Sequence, residues 1–349
     1  MPPRHSVRRL LLLALCVPLA SCAKRGPPSG GPPDLEPPRL VSTVPDSGAA
    51  HVPVDVKISL TWSEGMEPRS TGESVTLAPP VEVLHQRWSG RTLTLVLAHP
   101  LLRDHTYTMV VSGQARDRHG NSFGAGTTVV FSTADSFPRG LIAGKVEAKG
   151  FEPAGTSLWC YDVGKGHAPD STARDYDAVG IADAKGVFQV AGLAVPGRYR
   201  LWAFADLDGN RSYEPSRDIL YPVDTTFALV PAEPRAEGFT LRVINPRAPA
   251  RIKGAVLDSL QITEGTVRVF AVSDSDSTRR VITDLQSEGG FVLELEPGLW
   301  WIRAFRDLDK NRVWKRDEEP ASEVLGIHVQ PADDIKDVVL VLQRPRGVR

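Results

Sequence analysis

The chain has 349 residues, with 41 Lys and Arg against 42 Asp and Glu and a formal net charge of −1. That balance excludes the basic stripe of a nucleic-acid binder, and a 41% hydrophobic fraction excludes a chain disordered throughout. Glycine (30) and proline (29) make it rich in turns, while 3 Cys are too few for a disulfide framework.

At the start, Arg4, Arg8 and Arg9 precede a short apolar run from Leu10 to Leu19. The run is shorter than the roughly 20 residues a membrane-spanning helix needs, so residues 1–21 read as a signal peptide. It ends in Leu19-Ala20-Ser21-Cys22, which resembles the bacterial lipobox. That resemblance implies an exported chain, with Cys22 lipidated and holding it to a membrane of the cell envelope. Ala23, rather than Asp, follows the cysteine, and by the sorting rule of Gram-negative lipoproteins this points to the outer membrane. An ordinary cleaved signal with an incidental cysteine is the alternative. Residues 22–36 read as the lipidated cysteine and a Pro/Gly-rich linker. Six Pro and three Gly among residues 23–38 keep this stretch out of helices and central strands. As an extended tether at about 3.1 Å per residue it reaches roughly 50 Å.

Beyond the tether the apolar period is two almost everywhere. Val54 to Leu60, Thr92 to Leu97 and Tyr107 to Val111 alternate, with turn signals at Pro45-Asp46-Ser47-Gly48, Ser89-Gly90 and Gly120-Asn121. This spacing predicts antiparallel sandwiches, and no stretch holds an apolar 3.6 period, so the fold class is all-β. Several elements within residues 37–134 follow a familiar order. They are Pro38-Arg39-Leu40-Val41, Val52-Pro53-Val54, Leu60-Thr61-Trp62-Ser63, Tyr107-Thr108, Asp117 to Asn121 and Phe131-Ser132-Thr133. In that order they resemble the bacterial Ig-like domain named after the S-layer protein SbsA. The resemblance implies a spacer or adhesive module without catalytic residues.

The remainder reads as a duplication. Gly197 to Arg211 aligns with Gly298 to Arg312, and Asp307 follows Asp206 by 101 residues. Such a period is too long for a solenoid unit and suits two whole domains, 139–246 and 249–345. A Gly-x-Val opening strand, a hairpin strand with Phe188 or Phe291, and Gly-x-Tyr or Gly-x-Trp follow in turn. This order resembles transthyretin-like, carboxypeptidase regulatory-like sandwiches. The expected architecture is therefore three tandem β-sandwich domains, one Ig-like and two transthyretin-like, behind a lipoprotein signal and a Pro/Gly-rich tether.

One constellation carries possible chemistry, the element Asp-Leu-Asp-x-Asn-Arg present in both repeats. Oxygen-bearing side chains at alternate positions are how calcium loops grip a hard cation. The candidate Ca²⁺ ligands are Asp206, Asp208, Asn210 and Asp218, with Glu214 beside them, in the first repeat. In the second they are Asp307, Asp309, Asn311 and Glu318, where Asp317 or Glu319 is the alternative closing carboxylate. Both loops have Arg (Arg211, Arg312) where an EF-hand needs Gly, so a looser, weakly binding loop is the calcium reading. The competing reading is a metal-free loop capped by Asx turns, with Gly209 supplying a free φ and the two arginines neutralising the carboxylates.

No metalloprotease, nucleophile-elbow, phosphate-loop or Cys-x-x-Cys motif is present in the sequence. Cys160 reads as a buried structural thiol with His167 its sole sequence-local partner. Strand alternation puts Trp300 and Trp301 on opposite faces, one in the core and one partly exposed. The expected function is non-enzymatic: an envelope lipoprotein acting as spacer, adhesion or scaffolding module, with Ca²⁺ as the candidate stiffener. Glycan or peptidoglycan binding is the alternative. The expected partners are the membrane through Cys22 and an envelope protein or glycan, with no nucleic acid.

Overall fold

The computed structural model describes residues 33–124, 126–171, 175–210, 213–286 and 289–345. The signal, Cys22, Arg211 and Ser212 lie outside the described residues. The chain divides into a unit Met1–Glu36 and a unit Pro37–Arg349. In the first, Glu36 N donates to Asp34 Oδ1 at 3.0 Å. Among the described residues no helix is long and apolar enough to cross a membrane.

The second unit is built from strands, as the period of two demands. Its first module holds β1 (Leu40–Val44), β2 (Ile58–Trp62), β3 (Val75–Ala78), β4 (Val83–Ser89), β5 (Thr92–Leu97), β6 (Thr106–Val111) and β7 (Thr127–Ser132). They form two sheets, β1-β2-β5-β4 and β3-β6-β7. Ile58, Leu60, Trp62, Leu93, Tyr107 and Phe131 are buried between them. The alternation seen from Val54 becomes strand only at Ile58. One short helix, α1 (Pro68–Glu73), has Pro68 at its start, and Glu67 caps it by accepting the N–H groups of Arg69 and Ser70.

The middle module holds β8 (Gly140–Lys149), β9 (Ser157–Asp162), β10 (Ala178–Ile181), β11 (Val187–Leu193), β12 (Gly197–Ala205), β13 (Ile219–Leu229) and β14 (Arg235–Ile244). Its sheets run β10-β9-β12-β13 and β11-β8-β14. The last module holds β15 (Ala250–Leu257), β16 (Thr266–Ser273), β17 (Arg280–Asp284), β18 (Gly290–Leu295), β19 (Gly298–Asp307), β20 (Leu325–Val329) and β21 (Asp334–Val341). The topology repeats, with sheets β17-β16-β19-β20 and β18-β15-β21. In both modules the closing strand runs parallel to the opening one, β14 on β8 and β21 on β15.

The duplication is visible in the core. Phe188 pairs with Gly144 and Phe291 with Gly254. A side chain at Gly254 would place its Cβ 2.7 Å from the Phe291 ring, so glycine there makes room for the aromatic. Tyr199 Oη donates to the Ala194 carbonyl at 2.9 Å, and Trp300 Nε1 to that of Glu296 at 2.7 Å. Each ring thus stays buried with its polar end satisfied.

The first two modules share apolar surface. Ala78 and Val110 pack in one cluster with Trp159, Tyr161, Tyr176, Val179 and Phe204, all buried. The β10-β9-β12-β13 sheet is therefore covered on both faces, by its own second sheet and by the first module. Burying a large aromatic contributes on the order of 2–3 kcal/mol, so this contact holds the two modules together strongly.

Candidate functional site

The two acidic loops leave the ends of β12 and β19. In the first, carboxylate oxygens of Asp206, Asp208 and Asp218 lie within 4.8 Å of one another. In the second the converging set is Asp307, Asp309 and Glu319. Glu318, expected among the ligands, points elsewhere: it is exposed and sits 3.5 Å from Lys315 Nζ. Glu319 takes its place because it lies 101 residues after Asp218, the same interval that separates Asp206 from Asp307. That interval was the available signal for Glu319.

Asp218 and Glu319 are buried and staple their loops. Leu207 N donates to Asp218 Oδ1 at 3.0 Å and Glu214 N to Oδ2 at 2.8 Å. Leu308 N and Lys315 N donate to Glu319 Oε1 and Oε2 at 2.8 and 2.9 Å. The alternating Asp and Asn residues make Asx turns, as their short side chains favour. Gly209 N donates to Asp206 Oδ1 at 2.8 Å, Asn210 N to Asp208 Oδ1 at 3.1 Å, and Asn311 N to Asp309 Oδ1 at 3.2 Å. Asp307 accepts the N–H groups of Asn311 and Arg312, both at 3.0 Å. It also accepts Arg268 Nε at 2.9 Å, and Arg268 pairs in turn with Asp284.

Basic side chains other than Arg211 and Arg312, the two expected from sequence, stand on the outer carboxylates. Arg217 Nη1 reaches Asp208 Oδ2 at 3.1 Å, and Lys315 Nζ reaches Asp309 Oδ2 at 2.7 Å. The Asn210 amide and then Arg217 hold the Asp208 carboxyl below the usual carboxylate range. Lys315 does the same for Asp309. Three carboxylates thus converge in each loop, and a cationic nitrogen stands on the outermost one.

The first loop also joins modules. Arg247, between β14 and β15, donates Nη1 to the Pro215 carbonyl at 3.1 Å and Nη2 to that of Asp218 at 3.0 Å. On the other side Gly209 lies against Gln114 of the first module. Lys149 and Asp333 add an ion pair at 3.1 Å between the second and third modules.

Cys160 is fully buried, and burial, with the nearby charges of Asp177 and Asp162, pushes its thiol far up. His167 bonds to Asp177 Oδ2 at 2.8 Å and Asp175 Oδ2 at 3.0 Å. The pair is therefore not a nucleophile and its base. Trp300 is buried and Trp301 is 40% exposed, as alternation requires, with the Trp301 Nε1 donating to Asp274.

Among solved structures, the chain is similar to the TIE protein of Bacillus anthracis (9% identity, 91% of this chain and 59% of that chain covered, TM-score 0.23). It is similar to the N-terminal part of the bacterial S-layer protein SbsC (15%, 54% and 45%, TM-score 0.23). It is also similar to a putative cell adhesion protein from Bacteroides ovatus (11%, 60% and 96%, TM-score 0.30). The chain thus spans 59% and 45% of the length of the first two. No curated protein matches it at a significant level. The family model of the bacterial Ig-like domain matches residues 34–133, and the first pair of sheets, from Leu40 to Ser132, lies within that match.

Proposed function

We propose that this protein is a non-enzymatic lipoprotein of the cell envelope, anchored through Cys22 and serving as a spacer or scaffold with adhesive capacity. The observation that supports this most is that buried aromatic side chains and a buried loop carboxylate are used at the module junctions. Trp159, Tyr176 and Phe204 bury against Val110, and Arg247 ties the loop held by Asp218 to the connection into the third module. Ionisable groups here brace the joints of the chain. We assign residues 139–246 and 249–345 as two transthyretin-like domains, on the repeated strand order and the parallel closing strands.

Fatty-acid labelling of cells expressing the parent chain tests the anchor. Label incorporated by the parent and absent from Cys22→Ala, with the protein in the outer-membrane fraction, is the expected outcome. Equal labelling of the two removes the anchor. Calcium enters this reading as a weak stiffener of the two loops, competing with Arg217 and Lys315 for Asp208 and Asp309.

A second reading, glycan or peptidoglycan binding, is favoured by the exposed indole of Trp301 beside Asp274, since an aromatic face stacks on a sugar ring. A glycan array probed with the parent and Trp301→Ala decides it: retention must appear with the parent and vanish in the variant.

A further inference from the structure

The strand registers allow the two duplicated modules to be laid over one another residue by residue. Arg303 follows Trp202 by the repeat interval of 101. Trp202 pairs with Trp159, which pairs with Val179; Arg303 pairs with Phe270, which pairs with Ile282. Phe270 and Ile282 therefore hold the places of Trp159 and Val179. In the middle module those places are buried against the Ig-like domain. In the last module Phe270 is half-buried and Ile282 is 38% exposed, with the exposed Trp301 on the same face. The duplicated face is an interface between modules in one copy; in the other Trp314 covers Arg303 and Phe305 packs on Phe270, while Ile282 and Trp301 stay exposed.

The strand that carries Ile282 is also a sheet edge. β17 ends the order β17-β16-β19-β20, so alternate backbone N–H and C=O groups point away from the sheet; β18 of the facing sheet lies near it, but among the described residues no further strand pairs with this edge. Its counterpart β10 lies against β6 and β7 of the Ig-like domain. The sequence of β17 is Arg280-Val281-Ile282-Thr283-Asp284. Two copies set antiparallel about a two-fold axis at Ile282 place Arg280 of each opposite Asp284 of the other, Val281 opposite Thr283, and Ile282 opposite itself. Edge strands are commonly protected by like charges that repel a second copy. Here the charges at the two ends are opposite and complement one another under the two-fold. Arg268 already pairs with Asp284 in its own chain and holds that carboxylate in place.

We propose that β17 is a homodimerisation edge, joining the β17-β16-β19-β20 sheets of two copies into one continuous eight-stranded sheet and covering Ile282 of both. The occupant of this edge is a second copy of the chain.

Sedimentation equilibrium of the purified full chain tests this. The parent is expected to be a dimer, and Ile282→Lys and Arg280→Glu monomers with unchanged melting temperatures. Arg280 is exposed and outside the core, so that variant reads the contact even where Ile282→Lys disturbs folding. Directly opposed residues of an antiparallel pair have Cα atoms about 4.5–5.5 Å apart, within reach of a disulfide. Ile282→Cys is therefore expected to form a covalent dimer on oxidation, and Val339→Cys, exposed on the other sheet, to stay monomeric. A parent monomeric at every concentration, a dimer that survives both charge variants, or equal cross-linking from Val339→Cys overturns the proposal.

Discussion

Asp218 and Glu319 close the two acidic loops in the same way, with side chains that differ by one methylene. Each receives two backbone N–H groups, from Leu207 and Glu214 in one loop and from Leu308 and Lys315 in the other. Removing such a carboxylate takes the acceptor from two part-buried backbone donors. Glu319→Ala is expected to cost about 2–4 kcal/mol, since hydrogen bonds to a buried charged group are worth about 1.5–3 kcal/mol each and do not add fully. Glu318→Ala, which removes only an exposed ion pair, is expected to change stability by less than about 0.5 kcal/mol. Urea unfolding of the two variants checks this, and equal losses would refute the staple.

The contrast between those neighbours marks where the sequence is legible. All-β architecture, the duplication and the alternate burial of Trp300 and Trp301 follow from periodicity, because a strand exposes every second residue. The acidic element was visible for the same reason, as a repeated string. Its closing partner was harder to place in the second loop, because Glu318 and Glu319 are chemically alike and only loop geometry tells them apart. Arg217, Lys315, Arg247 and Arg268 were missed because a charged side chain's reach across a fold leaves no local pattern. The covered face of Trp159 and Val179 was equally hidden, since an apolar alternation does not say which face a neighbouring module takes.

His167 latches the loop after β9 between two carboxylates, Asp175 and Asp177. Burial opposes its charge, but the hydrogen bonds and charges of the two aspartates outweigh it and raise the imidazole above its ordinary value. A folded pKa above the unfolded value of about 6.5 means the latch is complete below about pH 6.5. Its contribution fades as pH rises through the raised value. Melting temperature is therefore expected to fall across that window in the parent and to lose this fall in His167→Gln. Proton NMR of the His167 ring gives the folded value directly, and a ring titrating at or below 6.5 contradicts the latch.

Gly209 and Lys310 occupy the same turn in the two repeats, and both have left-handed backbone, φ 75° and 62°. An L side chain there costs about 1–2 kcal/mol, an expense glycine avoids in the first loop and lysine bears in the second. Lys310→Gly is expected to stabilise the protein by about 0.5–1 kcal/mol. Gly209→Ala is expected to destabilise by about that strain, since the Gln114 side-chain amide, 2.5 Å from the new Cβ, can swing aside. Thermal melts of the two single variants, opposite in sign, check the assignment of the turn.

Calcium has to displace a cation to enter either loop, and this sets the expected scale of its effect. With a dissociation constant at the weak end, about 10⁻⁴–10⁻³ M, 10 mM Ca²⁺ stabilises by about 1.4–2.7 kcal/mol through mass action. Arg217→Gln and Lys315→Gln remove the competing charges from Asp208 and Asp309, so each is expected to tighten binding at its own loop. Asp208→Ala and Asp309→Ala are expected to weaken it. Melting curves recorded against Ca²⁺ concentration, with Mg²⁺ as control, separate a cation site from a loop closed entirely by its own side chains. A parent whose melting ignores calcium, together with Lys315→Gln and Arg217→Gln variants that also ignore it, would leave Arg217 and Lys315 as the permanent counter-charges of the two loops.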